Sequence, residues 1–267
     1  MNKIYLIANW KMNPITQSGA QKLALGVERG IFKLRDRQNL EVILCPPFPY
    51  LSNAKGQMSN IAKLGAQNCH FEDSGAFTGE ISAKMLEDLG CKYVIVGHSE
   101  RRAMGEDDVL INKKIKVVLK NNMRPVLAVG EKTRDSFDKN GRWTGEVDAT
   151  VGEQIRVALK GVSPAKARKV IVAYEPVWAI SKGFGKPTHT PETDDVFAVK
   201  IFIQKILRQL YSPAVQKNIP IIYGGSTNSQ NIVAFIRDGH MEGALVGGAS
   251  LKAEEFVKMA EKVTALR

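Results

Sequence analysis

Eight short apolar runs rich in β-branched residues recur along the chain, with segments of helical spacing between them. The runs are Lys3–Ala8, Glu41–Cys45, Ile61–Gln67, Lys92–Val96, Pro125–Val129, Val170–Tyr174, Ile219–Tyr223 and Ala244–Val246. They are continuous rather than alternating, as parallel strands buried on both faces must be. Eight strand–helix units in about 250 residues predict an α/β fold closed into one (β/α)8 barrel, with residues 1–267 as a single domain. An open doubly wound sheet is the competing arrangement, and the length alone also allows two ordinary domains. The open sheet would usually carry Gly-x-Gly-x-x-Gly after its first strand. Here the first run leads instead into Asn9-Trp10-Lys11-Met12-Asn13, and no composition break or linker divides the chain.

The helices announce their ends. Ser82–Leu89 and Asp107–Lys120 carry apolar residues at helical spacing, and Ser250 precedes a last helix over Leu251–Leu266. Thr190-Pro191-Glu192 reads as an N-cap, a proline at the first helical position and an acid that suits the helix dipole. Gly90, Gly161 and Gly239 stand where helices should stop.

Composition removes several classes of function. With 38 Lys+Arg against 27 Asp+Glu the formal net charge is +11, which raises the question of nucleic acid. The basic residues are spread along the chain and interleaved with acids. The densest stretch, Lys113-Lys114-Ile115-Lys116, lies in a helical pattern where a solvated face is expected. No aromatic–basic interleaving suggests a stacking platform, so no nucleic-acid partner is expected. A mild positive field suits an anionic small substrate. No apolar run approaches the roughly 18 residues of a membrane span, and the opening residues turn strand-like with no cleavage site, so neither membrane nor signal peptide is expected. Cys45, Cys69 and Cys91 are widely spaced, and the four histidines show no metal-ligand spacing. The expectation is a metal-free, cofactor-free cytoplasmic protein.

In a barrel the chemistry gathers where the strands end and the βα loops begin. After the first run come Asn9 and Lys11, an amide and a cation; a solvated lysine at a loop start is the plainer reading. After the fourth comes Gly97-His98-Ser99-Glu100-Arg101-Arg102. If Ser99 caps a helical turn, His98 lies beside helix N–H groups, which keep the imidazole neutral and able to donate a hydrogen bond; a structural histidine is equally compatible. After the sixth comes Glu175 in the apolar segment Ala173–Ile180. A carboxylate there is costly unless paired or used, and partial desolvation strengthens it as a base. The alternative is a buried glutamate held by a nearby serine or arginine. The seventh and eighth ends read Tyr223-Gly224-Gly225-Ser226 and Val246-Gly247-Gly248-Ala249-Ser250. Glycines let backbone approach a ligand, helix-start N–H groups bind anions, and barrels often place a phosphate at these two loops. One double glycine is only a tight turn; two at these positions are a stronger signal. Ser181–His189 is long and Gly-bearing, either an unstructured connection or a lid.

Taken together, Asn9–Asn13, Gly75–Ser82, Val96–Arg102, Ala173–Ile180, Tyr223–Ser226 and Leu245–Leu251 resemble, in order and over nearly the whole chain, the triosephosphate isomerase family. The resemblance implies a TIM barrel that interconverts an aldose phosphate and a ketose phosphate through an enediolate. It implies Glu175 as the base that moves a proton between adjacent carbons, and His98 as the neutral electrophile on the oxygens. The tuning of this glutamate–histidine pair is a standing example drawn from the family itself. Lys11 would stabilise negative charge, and Asn9 would position Lys11 and substrate. Backbone N–H groups at Ser226, Gly247, Gly248 and the lid would hold the phosphate, with Ile180 and Leu245 closing over Glu175. The Gly75–Ser82 loop resembles the family's dimer loop, with Thr78 reaching the partner's active site, which implies a homodimer.

Three departures from the family stand in or beside the lid. The stretch from Ile180 to Pro191 is longer than the family's; Ser181 follows Ile180 where the family has its phosphate-binding glycine, so Ser181 or Gly183 supplies that N–H, and Pro187 stiffens the hinge. Ala128 replaces the usual cysteine, and Lys132–Ser136 lacks the family's leucine and arginine spacing. The pattern fits a triosephosphate isomerase with loop drift. It also fits a relative acting on a four-carbon ketose phosphate, an erythrulose phosphate for example. A catalytically silent ligand-sensing barrel is the third reading, and the intact Asn9, Lys11, His98 and Glu175 speak against it.

Overall fold

The computed structural model describes residues 3–59, 61–133, 145–179 and 191–266. Its strands are β1 (Ile4–Asn9), β2 (Leu40–Cys45), β3 (Lys63–Ala66), β4 (Tyr93–Val96), β5 (Arg124–Val129), β6 (Ile171–Tyr174), β7 (Ile221–Tyr223) and β8 (Gly243–Val246). Each pairs in parallel with its sequence neighbours, and β1 closes on β8 with Tyr5 opposite Gly243. The expected (β/α)8 barrel is therefore the fold. The helices are α1 (Gln17–Phe32), α2 (Leu51–Lys55), α3 (Ala83–Asp88), α4 (Ser99–Ala103), α5 (Asp108–Lys120), α6 (Glu153–Ala158), α7 (Pro164–Ala167), α8 (Thr193–Leu210), α9 (Pro213–Gln216), α10 (Ile232–Arg237) and α11 (Ala253–Thr264).

At two strands the limits differ from the sequence expectation for an identifiable local reason. The N–H groups of Ile61 and Ala62 donate to the buried Glu28 carboxylate, so β3 starts at Lys63. Pro220 has no N–H to give; its carbonyl accepts from Val172, and β7 begins one residue later. Helix starts also differ at three sites. Glu192 is the N-cap of α8, leaving Pro191 outside the helix, and Asp194 and Asp195 occupy the first turn. His98, not Ser99, caps α4. Ser250 lies inside a short 3-10 turn, Gly248–Leu251, and spends its hydroxyl on the Gly247 carbonyl at 2.7 Å, so α11 starts after it. Ser82 and Asp107, the first residues of two expected helical stretches, are the N-caps of α3 and α5.

Side chains alternate across each strand. Leu6 and Ala8 of β1 face the helices, in the layer shared with Val27 and Phe256. Tyr5 and Ile7 face the barrel interior with Ile43, Tyr93, Ile95, Val126, Ile171, Ala173, Ile222 and Leu245. The inward parity, followed to the strand ends and just beyond, reaches Asn9 at the end of β1, Glu175 after β6 and Gly247 after β8. The period that fills the core thus also aims the polar residues into the barrel mouth. The opposite mouth is closed by Arg124, whose guanidinium lies over the rings of Tyr5 and Tyr93 at 5.1 and 5.6 Å and donates to the Tyr5 hydroxyl at 2.9 Å. Tyr93 in turn donates to Glu41, which pairs with Lys3.

Candidate active site

Glu175 is seated by backbone contacts on both neighbouring strands. Its N–H donates to Val129 on β5 at 2.7 Å, and the Gly224 N–H donates to Tyr174 at 2.7 Å. Two glycines make room for it. A Cβ on Gly130 would lie 1.7 Å from the Glu175 carbonyl oxygen, and one on Gly224 would lie 2.5 Å from Glu175 Cγ. Its side chain is 2% exposed, and the two carboxylate oxygens face different groups. Oε2 accepts the Ser99 N–H at 3.2 Å, and Oε1 lies 3.2 Å from His98 Nε2.

His98 follows Gly97, whose φ of 74° is a left-handed turn that favours glycine. Capping α4 fixes its ring: Nδ1 accepts the Glu100 N–H at 3.2 Å. A ring nitrogen that accepts carries no proton, so the neutral imidazole has its proton on Nε2, on the side of Glu175. The sequence expectation of a histidine beside helix N–H groups is met, with the ring itself replacing Ser99 as the cap.

Lys11 enters from the β1 end in a left-handed conformation, φ 53°, that few non-glycine residues adopt. Two side chains hold that backbone. Asn9 Oδ1 accepts the Lys11 N–H at 3.1 Å, and Gln67 Nε2 donates to the Lys11 carbonyl at 2.8 Å and to Cys45 at 2.9 Å. Lys11 Nζ pairs with Glu100 Oε1 at 2.8 Å. Burial works to raise the Glu100 carboxyl, but the hydrogen bond and charge of Lys11 prevail and hold it below the usual carboxylate value. A Cβ on Gly247 would lie 3.5 Å from Lys11 Cε, which brings the β8 turn to the lysine. That turn opens with Gly248, where an added Cβ would meet nothing within 4 Å, and the leading N–H groups of such a turn have no partner inside it. Across the mouth, the Ser226 carbonyl accepts from Asn231 Nδ2 at 3.1 Å.

Asn9, Lys11, His98, Glu175, Ser226, Gly247 and Gly248 therefore all stand at the C-terminal end of the barrel. Ile180, Ser181 and Gly183 lie outside the described residues. Roles that the sequence left unassigned fall to Gln67, Glu100, Gly130 and Gly224. Glu131 is another: its Oε1 accepts from Tyr174 at 2.8 Å and Trp178 at 2.7 Å, tying the end of β5 to the segment after Glu175. An acid two residues past the end of an apolar run was the available signal.

The sequence model of triosephosphate isomerase matches residues 4–263. The chain belongs to the triosephosphate isomerase family. Among relatives carrying that name, the protein of Carboxydothermus hydrogenoformans is 45% identical over 261 residues, covering 96% of this chain and 97% of the relative. The triosephosphate isomerase of a Roseiflexus species is 44% identical over 257 residues, 95% of each chain. That of Aquifex aeolicus is 43% identical over 256 residues, 95% of this chain and 97% of its own. Triosephosphate isomerases thus match over at least 95% of this chain.

Proposed function

We propose that this protein is a triosephosphate isomerase, interconverting D-glyceraldehyde 3-phosphate and dihydroxyacetone phosphate. The observation that carries the reading is the buried Glu175–His98 pair beside Lys11, in a chain that matches the family throughout. Glu175 acts as base, removing a proton from the carbon next to the carbonyl and returning it to the neighbouring carbon. His98 Nε2–H donates to the carbonyl oxygen on which charge develops, and the Lys11 ammonium offsets the charge of the enediolate. Asn9 orients Lys11. One Glu175 oxygen accepts the Ser99 N–H and the other faces His98 Nε2, so abstraction requires the carboxylate to turn toward the substrate carbon. The phosphate sits against the Gly247–Gly248 turn and the Ser226 loop, where backbone N–H groups and close approach favour an anion.

We read residues 1–267 as one domain and the working form as a homodimer. The Gly75–Ser82 loop supports this: Phe77 is 43% exposed although its ring packs on His70 at 4.3 Å, and Met12 and Ile15 in the β1 loop are 88% and 87% exposed. Sedimentation equilibrium at micromolar concentration should give twice the chain mass; a monomer would remove the assignment. Three free, buried thiols support residence in the cytoplasm, and among the described residues no helix is long and apolar enough to cross a membrane.

Steady-state assay with both substrate lengths tests the central reading. Turnover of the triose phosphates is expected with a kcat/KM above that for erythrulose phosphate. A hundredfold preference for the four-carbon substrate would overturn it, and no turnover of either would leave a silent barrel.

A further inference from the structure

We infer that Arg102 is a positioning residue for His98, acting through the carbonyl of Gly97; this rests on the role of His98 proposed above. Arg102 lies in α4, the short helix that His98 caps, and its side chain folds back to the strand that α4 follows. All three guanidinium nitrogens are used. Nε donates to the Gly97 carbonyl at 2.7 Å, Nη2 to the Ala128 carbonyl of β5 at 3.3 Å, and Nη1 to Asp108 Oδ1 at the start of α5 at 2.6 Å. One planar group thus joins the ends of β4 and β5 to the next helix, a task for which its fixed fork suits it and a lysine ammonium does not.

The contact with Gly97 matters because of where that carbonyl lies. It belongs to the peptide whose nitrogen is that of His98. Gly97 is left-handed, and its Cα face is filled: an added Cβ would meet Ile111 Cδ1 at 3.1 Å, the Ala128 carbonyl at 3.2 Å and Arg102 Nη2 at 3.2 Å. The next carbonyl, that of His98, accepts the N–H groups of Arg101 at 2.9 Å and Arg102 at 3.0 Å. Both peptides flanking His98 are therefore held, the first by the Arg102 side chain and the second by the backbone of α4. With its backbone so fixed, the imidazole keeps Nδ1 on the Glu100 N–H and Nε2 toward Glu175. A catalytic group must be held to within about 0.5 Å of its working place, and errors of about 1 Å can lower rates about a hundredfold. Without Arg102 the Gly97 carbonyl loses this donor, and on this proposal the place of Nε2 and the single tautomer are no longer fixed.

The test compares Arg102→Ala, Arg102→Lys and Asp108→Asn in the full-length enzyme, with kinetics and the ring-nitrogen NMR spectrum of His98. Arg102→Ala is expected to lower kcat at least tenfold with KM changed less than threefold. Its His98 spectrum should lose the wild-type pattern of a protonated Nε2 and an unprotonated Nδ1. Arg102→Lys should fall between Arg102→Ala and wild type in both readouts, and it carries the test if the alanine variant does not fold. Asp108→Asn keeps an acceptor for Nη1 and leaves both carbonyl contacts in place, so it should stay within threefold of wild type. A wild-type rate and spectrum in the Arg102 variants would overturn the proposal, as would an equal loss in Asp108→Asn. His98→Gln separates the two layers: if it is inactive while Arg102→Lys is normal, only the role of Arg102 falls. If His98→Gln is itself fully active, the reading of the site falls.

Discussion

His98 Nε2 and Glu175 Oε1 stand 3.2 Å apart at the barrel mouth, both residues almost fully buried. Because His98 Nδ1 is occupied as an acceptor from Glu100, the proton between the pair belongs to Nε2. In the proposed function the same N–H is offered to a substrate oxygen once Glu175 turns to its carbon, so that one ring faces the base at rest and then serves as electrophile. Substitution by glutamine displaces that donor, so His98→Gln should lower kcat about a hundredfold or more with a smaller change in KM. Stopped-assay kinetics on the folded variant checks this.

The glycines around the site should separate by position. A Cβ on Gly224 meets Glu175 Cγ at 2.5 Å, whereas one on Gly248 meets open space. Gly224→Ala should therefore displace the base and lower kcat at least tenfold. Gly248→Ala should leave Tm within a degree or two, since ΔΔG near zero gives no shift. It should raise KM, because the methyl enters the space proposed for the phosphate. Kinetics and calorimetry on the two variants read these effects independently.

At the opposite mouth, Arg124 touches no part of the proposed site. It stacks on Tyr5 and Tyr93 and donates to the Tyr5 hydroxyl and the Lys169 carbonyl. Arg124→Ala should cost about 2–4 kcal/mol of stability from lost cation–π contact and unsatisfied acceptors. Urea unfolding measures the loss, and kcat of the remaining folded enzyme should be unchanged.

The neighbouring Glu41 gives an acid-side prediction. Burial tends to raise its carboxyl, but hydrogen bonds from Lys3 and Tyr93 and the charges of Lys3 and Lys63 hold it below its ordinary value. A carboxyl lowered in the folded state stabilises above its unfolded value, about 4.3, and loses that contribution as pH falls through the folded one. Stability should thus decline on acidification below about pH 4.3, and less steeply in Glu41→Gln, as followed by urea unfolding at several pH values.

Much of the fold and of the site is legible in the sequence. Continuous apolar runs specify buried parallel strands, and the polar residues just past them are the ones the barrel mouth collects. Local competition was not legible. The N–H groups of Ile61 and Ala62 look like strand donors until Glu28, far away in sequence, is seen to take them. Likewise, a Ser after a His suggests a serine cap, but the ring of His98 lies closer to the helix start and takes the bond. Glu100 and Gln67 act through Lys11, and Arg102 partly through Ala128, all far away in sequence, where spacing carries no trace of such partners. Ser181 and Gly183, the alternative phosphate donors expected after Ile180, lie outside the described residues.

The most direct measurement is hydrogen exchange into the triose phosphates during turnover in deuterium oxide, compared between wild type and Glu175→Gln. Wild type should interconvert the two substrates and place solvent deuterium on the carbon next to the carbonyl. Glu175→Gln, folded and still binding substrate, should lose about three orders of magnitude in both isomerisation and exchange, the scale of a general base. Exchange and turnover near wild type in that variant would contradict the account.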